Sequence, residues 1–166
     1  MLHITTSESP IGPLTIAAHG GHVCLLHFGR ETAGIRRRLE AWYPGHALEP
    51  HPDPAGAVRA LNRYFDGRIG ALDDVPVELN GTPFQRQVWG ALRCIRAGAT
   101  ASYAGLARTI GMPSSVRAVG AANGANPVAL IIPCHRVIGS NGSLTGYGGG
   151  LDRKRWLLQH EGVVMF

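Results

Sequence analysis

Hydrophobic and polar residues alternate in short runs at the start of the chain, separated by turn-forming residues. The spacing predicts strands over residues 2–6, 13–18 and 22–28, divided by Ser9-Pro10-Ile11-Gly12 and Gly20-Gly21. Three such strands in succession predict an antiparallel meander. The period then becomes helical. Ile35, Leu39 and Trp42 share one face of a first helix, with Arg36, Arg37 and Arg38 mostly off it as a solvated surface; Val58, Leu61 and Phe65 share a face of a second. Four prolines within 44–54 argue against regular structure there. Residues 67–81 hold one short strand candidate, 75–79, before Asn80-Gly81 marks a domain boundary.

Beyond the boundary the pattern is helical. Thr82 fits an N-cap and Pro83 a first helical position, and Phe84, Val88, Leu92 and Ile95 form one apolar face. Ser102 caps a short helix carrying Tyr103, Leu106 and Ile110, which stops at Gly111; Pro113-Ser114 opens another that runs to about Gly124. Helix, tight turn, helix is a nucleic-acid-binding unit, although core helix pairs with no such role look the same. In the second helix Ala118, Gly120, Ala121, Ala122 and Gly124 leave the backbone almost bare around Arg117. Tight packing against another helix and close docking into a DNA groove both explain small side chains there, and Arg117 as a single long probe favours the groove.

Composition narrows the classes. The 166 residues suffice for one generous domain or two small ones, and 45% hydrophobic content supports a packed core. A net charge of +5 permits binding to a polyanion. Lys154 is the only lysine among the 16 basic residues, and the arginine excess reads equally as high-GC coding. No apolar run is long enough for a membrane span and no signal-peptide order is present, so a cytoplasmic protein is expected. The cysteines Cys24, Cys94 and Cys134 are odd in number and widely spaced, which gives neither a disulfide framework nor a zinc pair.

One thiol stands out. The apolar run 128–132 reads as a buried strand, broken by Pro133 and followed by Cys134-His135-Arg136-Val137-Ile138. A cysteine at a strand end meets the surface at a fixed point, and His135 supplies a base or cation nearby that promotes thiolate formation. Neighbouring side chains on extended backbone point to opposite faces, so His135 is expected to act through a water or after a turn. Cys94 is expected on a buried helix face or its edge. Residues 139–150 hold six glycines and Tyr147, a loop able to close over a flat ligand; it lacks the lysine and the glycine spacing of a phosphate cradle. A last helix over 152–160 delivers Glu161, which spacing alone reads as a solvated acid.

Ile132-Pro133-Cys134-His135-Arg136-Val137-Ile138 resembles the active-site signature of the 6-O-alkylguanine-DNA alkyltransferases. The likeness extends through Phe84-Gln85-Arg86-Gln87-Val88-Trp89, Ser102-Tyr103, Arg117-Ala118-Val119-Gly120, Ala122-Asn123, Asn126-Pro127, Gly146-Tyr147-Gly148-Gly149-Gly150 and His160-Glu161-Gly162. Roughly residues 80–162 are covered in order. The first half matches mainly at Ser9-Pro10-Ile11-Gly12-Pro13-Leu14.

The resemblance implies direct-reversal DNA repair: irreversible, single-turnover transfer of an alkyl group from 6-O-alkylguanine in duplex DNA to Cys134, with repair of alkylthymine left open and no cofactor needed. It implies that His135 and Glu161 lower the thiol pKa through a water-linked relay, that Asn126 braces the active-site turn, and that Tyr103 protonates the departing guanine. Arg117 would enter the base stack in the minor groove while the damaged nucleotide rotates out, with Tyr103, Ala118, Ala121, Ser140 and Gln85 also at the DNA. Tyr147, Gly148, Gly149 and Pro133 would wall the base pocket. The implied fold is α/β: an N-terminal ribonuclease-H-like sheet domain, 1–79, plus a C-terminal helical, winged-helix-like domain with the helix-turn-helix, 80–166. The residue pattern itself supports α/β in two parts. A monomer is expected in solution, with cooperative assembly on DNA as an alternative.

Two departures stand out. Some family members hold zinc with two cysteines and two histidines in the N-terminal domain, where this chain has only Cys24, so no metal is expected. Ile95-Arg96-Ala97-Gly98 replaces the usual Ile-Pro-x-Gly, which predicts a looser loop or a phosphate contact at Arg96. Rival readings are a damage-sensing DNA binder without transfer, against which Cys134 argues, a thiol hydrolase using Cys134 and His135, and a thiol-based transcription switch.

Overall fold

The computed structural model describes residues 1–164. Strands β1 (Leu2–Ser7), β2 (Leu14–His19) and β3 (His22–Phe28) form the expected antiparallel meander. The central strand is covered on both faces. Leu14 and Ile16, with Val23 and Leu26 of β3, point into a core shared with the helices of the second half. Leu2, Ile4, Ala17 and Leu25 point the other way, against Ile35 and Leu39 of α1 (Ala33–Trp42). Arg36, Arg37 and Arg38 are exposed on α1, as its pattern predicts.

The proline-rich stretch is more regular than expected. Leu48–Pro50 forms a short strand, β4, parallel to β1 and last in the sheet order β3-β2-β1-β4. An edge position tolerates Pro50 because no neighbour needs its missing N–H. The other edge, β3, is closed by two later segments. Val23 and Glu78 exchange backbone hydrogen bonds with residues 76 and 23 at 2.8 and 2.9 Å, so the strand candidate 75–79 is reduced to one bridge at Val77. Leu26 donates to the Pro127 carbonyl at 3.0 Å and accepts from Ala129 at 3.2 Å, which docks the segment leading to Cys134 onto the sheet.

Helix α2 (Ala57–Phe65) buries Ala57, Leu61 and Tyr64, leaving the expected Val58 and Phe65 at the margin of the core. Helix α3 (Pro83–Arg93) starts at a full capping box: Thr82 Oγ1 accepts from the Gln85 N–H at 3.1 Å and Gln85 Oε1 from the Thr82 N–H at 2.9 Å. Gly81 is required there because a Cβ would lie 2.4 Å from the Trp89 ring. Cys94, expected on a buried helix face or its edge, is the exposed C-cap of α3 and not on the buried face.

A two-residue strand β5 (Ala101–Ser102) leads into α4 (Tyr103–Thr109), capped by Ser102 at 2.9 Å, and α5 (Val116–Gly124) follows across a turn. The helix-turn-helix is therefore present, with α5 starting later than Pro113. β5 pairs in parallel with β6 (Val137–Ile138), directly after the cysteine segment, and α6 (Leu151–His160) closes the chain's described part. No helix among the described residues is long and apolar enough to cross a membrane.

Candidate active site

The apolar run before Cys134 is a buried turn and not the expected strand. Only Val128 bridges to the sheet; the chain then reverses, with Leu130 at φ +69° and Ile132 donating to the Val128 carbonyl at 3.0 Å. The side chain of Asn126 takes the place of a strand partner. Its Oδ1 accepts from the Val128 N–H at 2.9 Å and its Nδ2 donates to the Ile132 carbonyl at 2.7 Å, so buried peptide groups stay satisfied without a ladder. Cys134 then starts a single 3-10 turn, Cys134–Arg136. That turn replaces the alternation of a strand and sends His135 and Arg136 together into the core.

Both reach Glu161, at the C-cap of α6. His135 Nε2 lies 2.8 Å from Oε2, while Arg136 donates from Nε to Oε1 at 2.9 Å and from Nη2 to Oε2 at 3.1 Å. Tyr64 of α2 adds its hydroxyl to Oε2 at 2.6 Å, and Arg136 Nη1 donates to the Ile95 carbonyl at 2.6 Å. All of this is enclosed: Glu161, which its spacing alone reads as solvated, is 2% exposed, and His135 is fully buried. Its place just past the last helical turn carries it inward onto a cation that sequence spacing does not reveal.

Burial by itself would raise the Glu161 carboxyl, but the hydrogen bonds and charges of His135 and Arg136 outweigh it and hold the group at about 2. The carboxylate is thus ionised. Burial lowers the His135 imidazole below its ordinary value even against the pull of Glu161, so the ring is neutral at physiological pH. A neutral ring facing a carboxylate must carry its proton on Nε2, which leaves the Nδ1 lone pair free. Nδ1 is buried and has no hydrogen-bond partner among the described residues. Burial pushes the Cys134 thiol up, with the amide of Asn126 and the charge of Lys154 pulling against it. The resting species is a thiol, followed in the chain by a neutral imidazole whose Nδ1 is free.

Cys134 opens into a cavity of about 430 Å³. Asn123–Asn126 form one wall and Gly146–Gly149 with Tyr147 another; His27, Phe28 and Arg38 of the first half complete the lining. Gly149 is dictated by space, since a Cβ would sit 2.7 Å from the Phe28 ring and 2.8 Å from that of Tyr147. Lys154, the single lysine, is fully buried and donates to the carbonyls of Val137 at 2.7 Å and Thr145 at 2.9 Å, tying the glycine loop to β6. Tyr103 opens α4, outside the cavity lining, and its hydroxyl accepts from Thr145 Oγ1 at 3.1 Å. Pro133 is buried behind the cysteine and does not line the cavity.

On α5, Val119, Ala122 and Asn123 face the core, while Arg117, Ala118, Ala121 and Gly124 form one exposed strip. Packing explains Gly120, whose Cβ position is 3.8 Å from the Tyr103 ring, while Ala118 and Ala121 leave the outer face of α5 bare. Ser140 is exposed in the turn after β6. Gln85 has its amide oxygen engaged in the α3 cap. Arg96 is exposed, in a turn closed by the Ala99 N–H on its carbonyl at 3.0 Å.

The sequence pattern assigns no site role to Arg136, Tyr64, Lys154 or His27, and it places Arg38 only on a solvated helix face. An arginine next to a candidate base is a usable signal for the first, and the only lysine of an arginine-rich chain for the third. Tyr64 carried none, being 97 positions from Glu161.

Fold and site define a class: an α/β protein with a helix-turn-helix and a cavity-lining cysteine backed by a histidine and a buried carboxylate. The family model described as the ribonuclease-like domain of 6-O-methylguanine DNA methyltransferase matches residues 2–79, and that described as its DNA binding domain matches residues 83–163. The methylated-DNA–protein-cysteine methyltransferase of Salmonella typhimurium is 52% identical, over 95% of this chain and 94% of that protein. The one from Mycobacterium bovis is 49% identical, over 97% and 93%. The crystal structure of Mycobacterium tuberculosis O6-methylguanine methyltransferase superposes with a TM-score of 0.81 at 46% identity, covering 97% of this chain and 93% of that one. That of Mycobacterium tuberculosis OGT in complex with DNA gives 0.78 at 46% identity, covering 96% and 92%. The chain belongs to the 6-O-methylguanine DNA methyltransferase family.

Proposed function

We propose that this protein repairs DNA by taking the alkyl group of a 6-O-alkylguanine onto its own Cys134, once per molecule. One observation carries the reading: a cavity-lining thiol is followed in the chain by a buried neutral histidine whose Nε2 is held by an ionised glutamate. The names of the relatives as cysteine methyltransferases, and the complex of a similar structure with DNA, support it.

The chemistry balances without a cofactor. His135 Nδ1 takes the thiol proton through a bridging water, and the imidazolium that forms is stabilised by Glu161. Arg136 and Tyr64 position that carboxylate. The thiolate attacks the alkyl carbon, the S–C bond forms as the C–O bond to the base breaks, and the electron pair leaves on guanine O6. Tyr103, outside the cavity lining and bonded to Thr145 of the glycine loop, is assigned by the family resemblance to supply the proton that neutralises the departing guanine. A thioether does not hydrolyse as a thioester does, so the protein is consumed.

A base inside a duplex cannot reach this cavity, so the nucleotide must rotate out. Arg117, on the bare strip of α5, fills the vacated stack, and Ala118 and Ala121 let the helix approach the minor groove closely. Ser140 and Gln85 lie at the edge of this contact. Tyr147, Gly148 and Gly149 wall the flipped base, and Pro133 fixes the backbone behind the nucleophile. We assign DNA binding and transfer to residues 80–166 and the supporting sheet to residues 1–79, in a cytoplasmic protein.

Titrating alkylated duplex against the protein tests the stoichiometry. Product is expected to stop at one transferred group per molecule; continued product formation with excess duplex would mark a hydrolase instead.

A further inference from the structure

The transfer chemistry above gives no part to Asn123, although it lies in one of the stretches that carry the family likeness. Asn123 sits in the last turn of α5, is 5% exposed and lines the same cavity as Cys134. Its side-chain oxygen Oδ1 is buried and has no hydrogen-bond partner among the described residues. An unpaired buried acceptor costs free energy, and its survival calls for a role. The other asparagine of that wall differs: both ends of the Asn126 amide are spent on peptide groups, of Val128 and Ile132. The end of α5 is also fixed in place. Trp89 Nε1 donates to the Ala122 carbonyl at 2.8 Å, and the Asn123 carbonyl accepts from the Ala125 N–H and, at 3.4 Å, from that of Asn126. Asn123 is thus held on the cavity wall with an acceptor in need of a donor.

A 6-O-alkylguanine in DNA has little to donate. Alkylation at O6 removes the proton from N1, N9 is bonded to the sugar, and O6, N1, N3 and N7 can only accept. The exocyclic 2-amino group is the one N–H donor left on the base, and a carboxamide oxygen can only accept. The amino group also lies across N1 from the alkoxy carbon, so a base whose alkyl carbon meets the Cys134 sulfur turns its amino group away from the sulfur, towards a wall. We propose that Asn123 Oδ1 accepts a hydrogen bond from the 2-amino group of the flipped base, which makes Asn123 a specificity-determining residue for guanine. This inference rests on the transfer reading above.

The test changes protein and substrate together. Transfer rates at limiting protein are measured on two duplexes that differ only in the 2-amino group, one with 6-O-methylguanine and one with 6-O-methylhypoxanthine. Wild type is compared with Asn123→Leu, which keeps the size of the side chain, and with Asn123→Ala, which adds no bulk. Wild type is expected to transfer roughly tenfold faster from the guanine, because the hypoxanthine leaves a buried acceptor unpaired. Both variants should lower the guanine rate about tenfold while the hypoxanthine rate holds or rises, so that the preference collapses. A retained hypoxanthine rate also shows that the variants are folded. Wild type that takes both bases at one rate overturns the proposal without any variant. Variants that slow both bases alike would mean that Asn123 shapes the pocket, and variants that keep the full preference would mean that other groups read the amino group; each overturns it too. Wild-type protein that transfers from neither duplex would instead sink the transfer reading itself.

Discussion

Tyr64 and Glu161 meet through a 2.6 Å hydrogen bond across 97 positions of sequence, which joins α2 of the first half to the carboxylate that holds His135. The second half thus does not complete its relay alone. Since His135 and Arg136 continue to hold the carboxylate without it, Tyr64 is a positioning residue. Tyr64→Phe is expected to cost about 1.5–3 kcal/mol in urea unfolding, the range for a hydrogen bond to a charged group, with transfer slowed only modestly. Loss of transfer as complete as that of a His135 variant would show that Tyr64 does more than position.

Glu161 also sets how acid affects the fold. Its carboxyl lies at about 2 in the folded protein against an ordinary 4.5, a depressed value, so its contribution to stability is full above 4.5 and disappears as pH falls towards 2. Glu161→Gln should lower stability at neutral pH by about 3–5 kcal/mol, because Arg136 is left buried without its counter-charge. It should also flatten the acid limb of stability against pH. Urea midpoints that run parallel for both proteins between pH 5 and 2 would contradict this role.

Transfer itself should follow the histidine. Burial lowers His135 from 6.5 and raises Cys134 from 9.0, so proton transfer within the pair, and not free ionisation of the thiol, supplies the nucleophile. The rate is expected to be level from about pH 8 down to 6.5 and to fall only below that, as the imidazole becomes protonated. A rate that climbs steadily from 6.5 to 9 would mean that the thiol ionises alone.

The glycine loop offers a paired comparison. A Cβ at Gly149 meets the Phe28 and Tyr147 rings, while one at Gly148 meets nothing within 4 Å. Gly149→Ala should displace the Tyr147 wall, cost about 1–3 kcal/mol through overpacking, and slow transfer from duplex. Gly148→Ala should leave stability within about 1 kcal/mol of wild type. Equal effects at the two positions would remove the argument for a fitted wall.

Local chemistry was what the sequence made legible. The caps at Thr82 and Ser102, the meander, the helix-turn-helix and the Cys134-His135 pair all follow from residues within a few positions of one another. The failures have two causes: a nearby side chain that takes over the role of a sheet partner, and partners distant in sequence. The apolar run before Cys134 has the composition of a strand, but Asn126 supplies the hydrogen bonds that let it turn. Glu161 reads as solvated until Arg136 and Tyr64 are known to face it, and Lys154, to which the sequence pattern gives no place, is enclosed by the carbonyls of Val137 and Thr145. Proline at 50 argues against a strand unless the strand is an edge.

The central claim is that Cys134 itself accepts the alkyl group. A duplex bearing labelled 6-O-methylguanine, mixed with the protein and with Cys134→Ser and followed by peptide mass, tests it most directly. One methyl per molecule on the peptide containing Cys134, and none on the variant, is the predicted result. Tight binding without transferred label, or label on another residue, would contradict it.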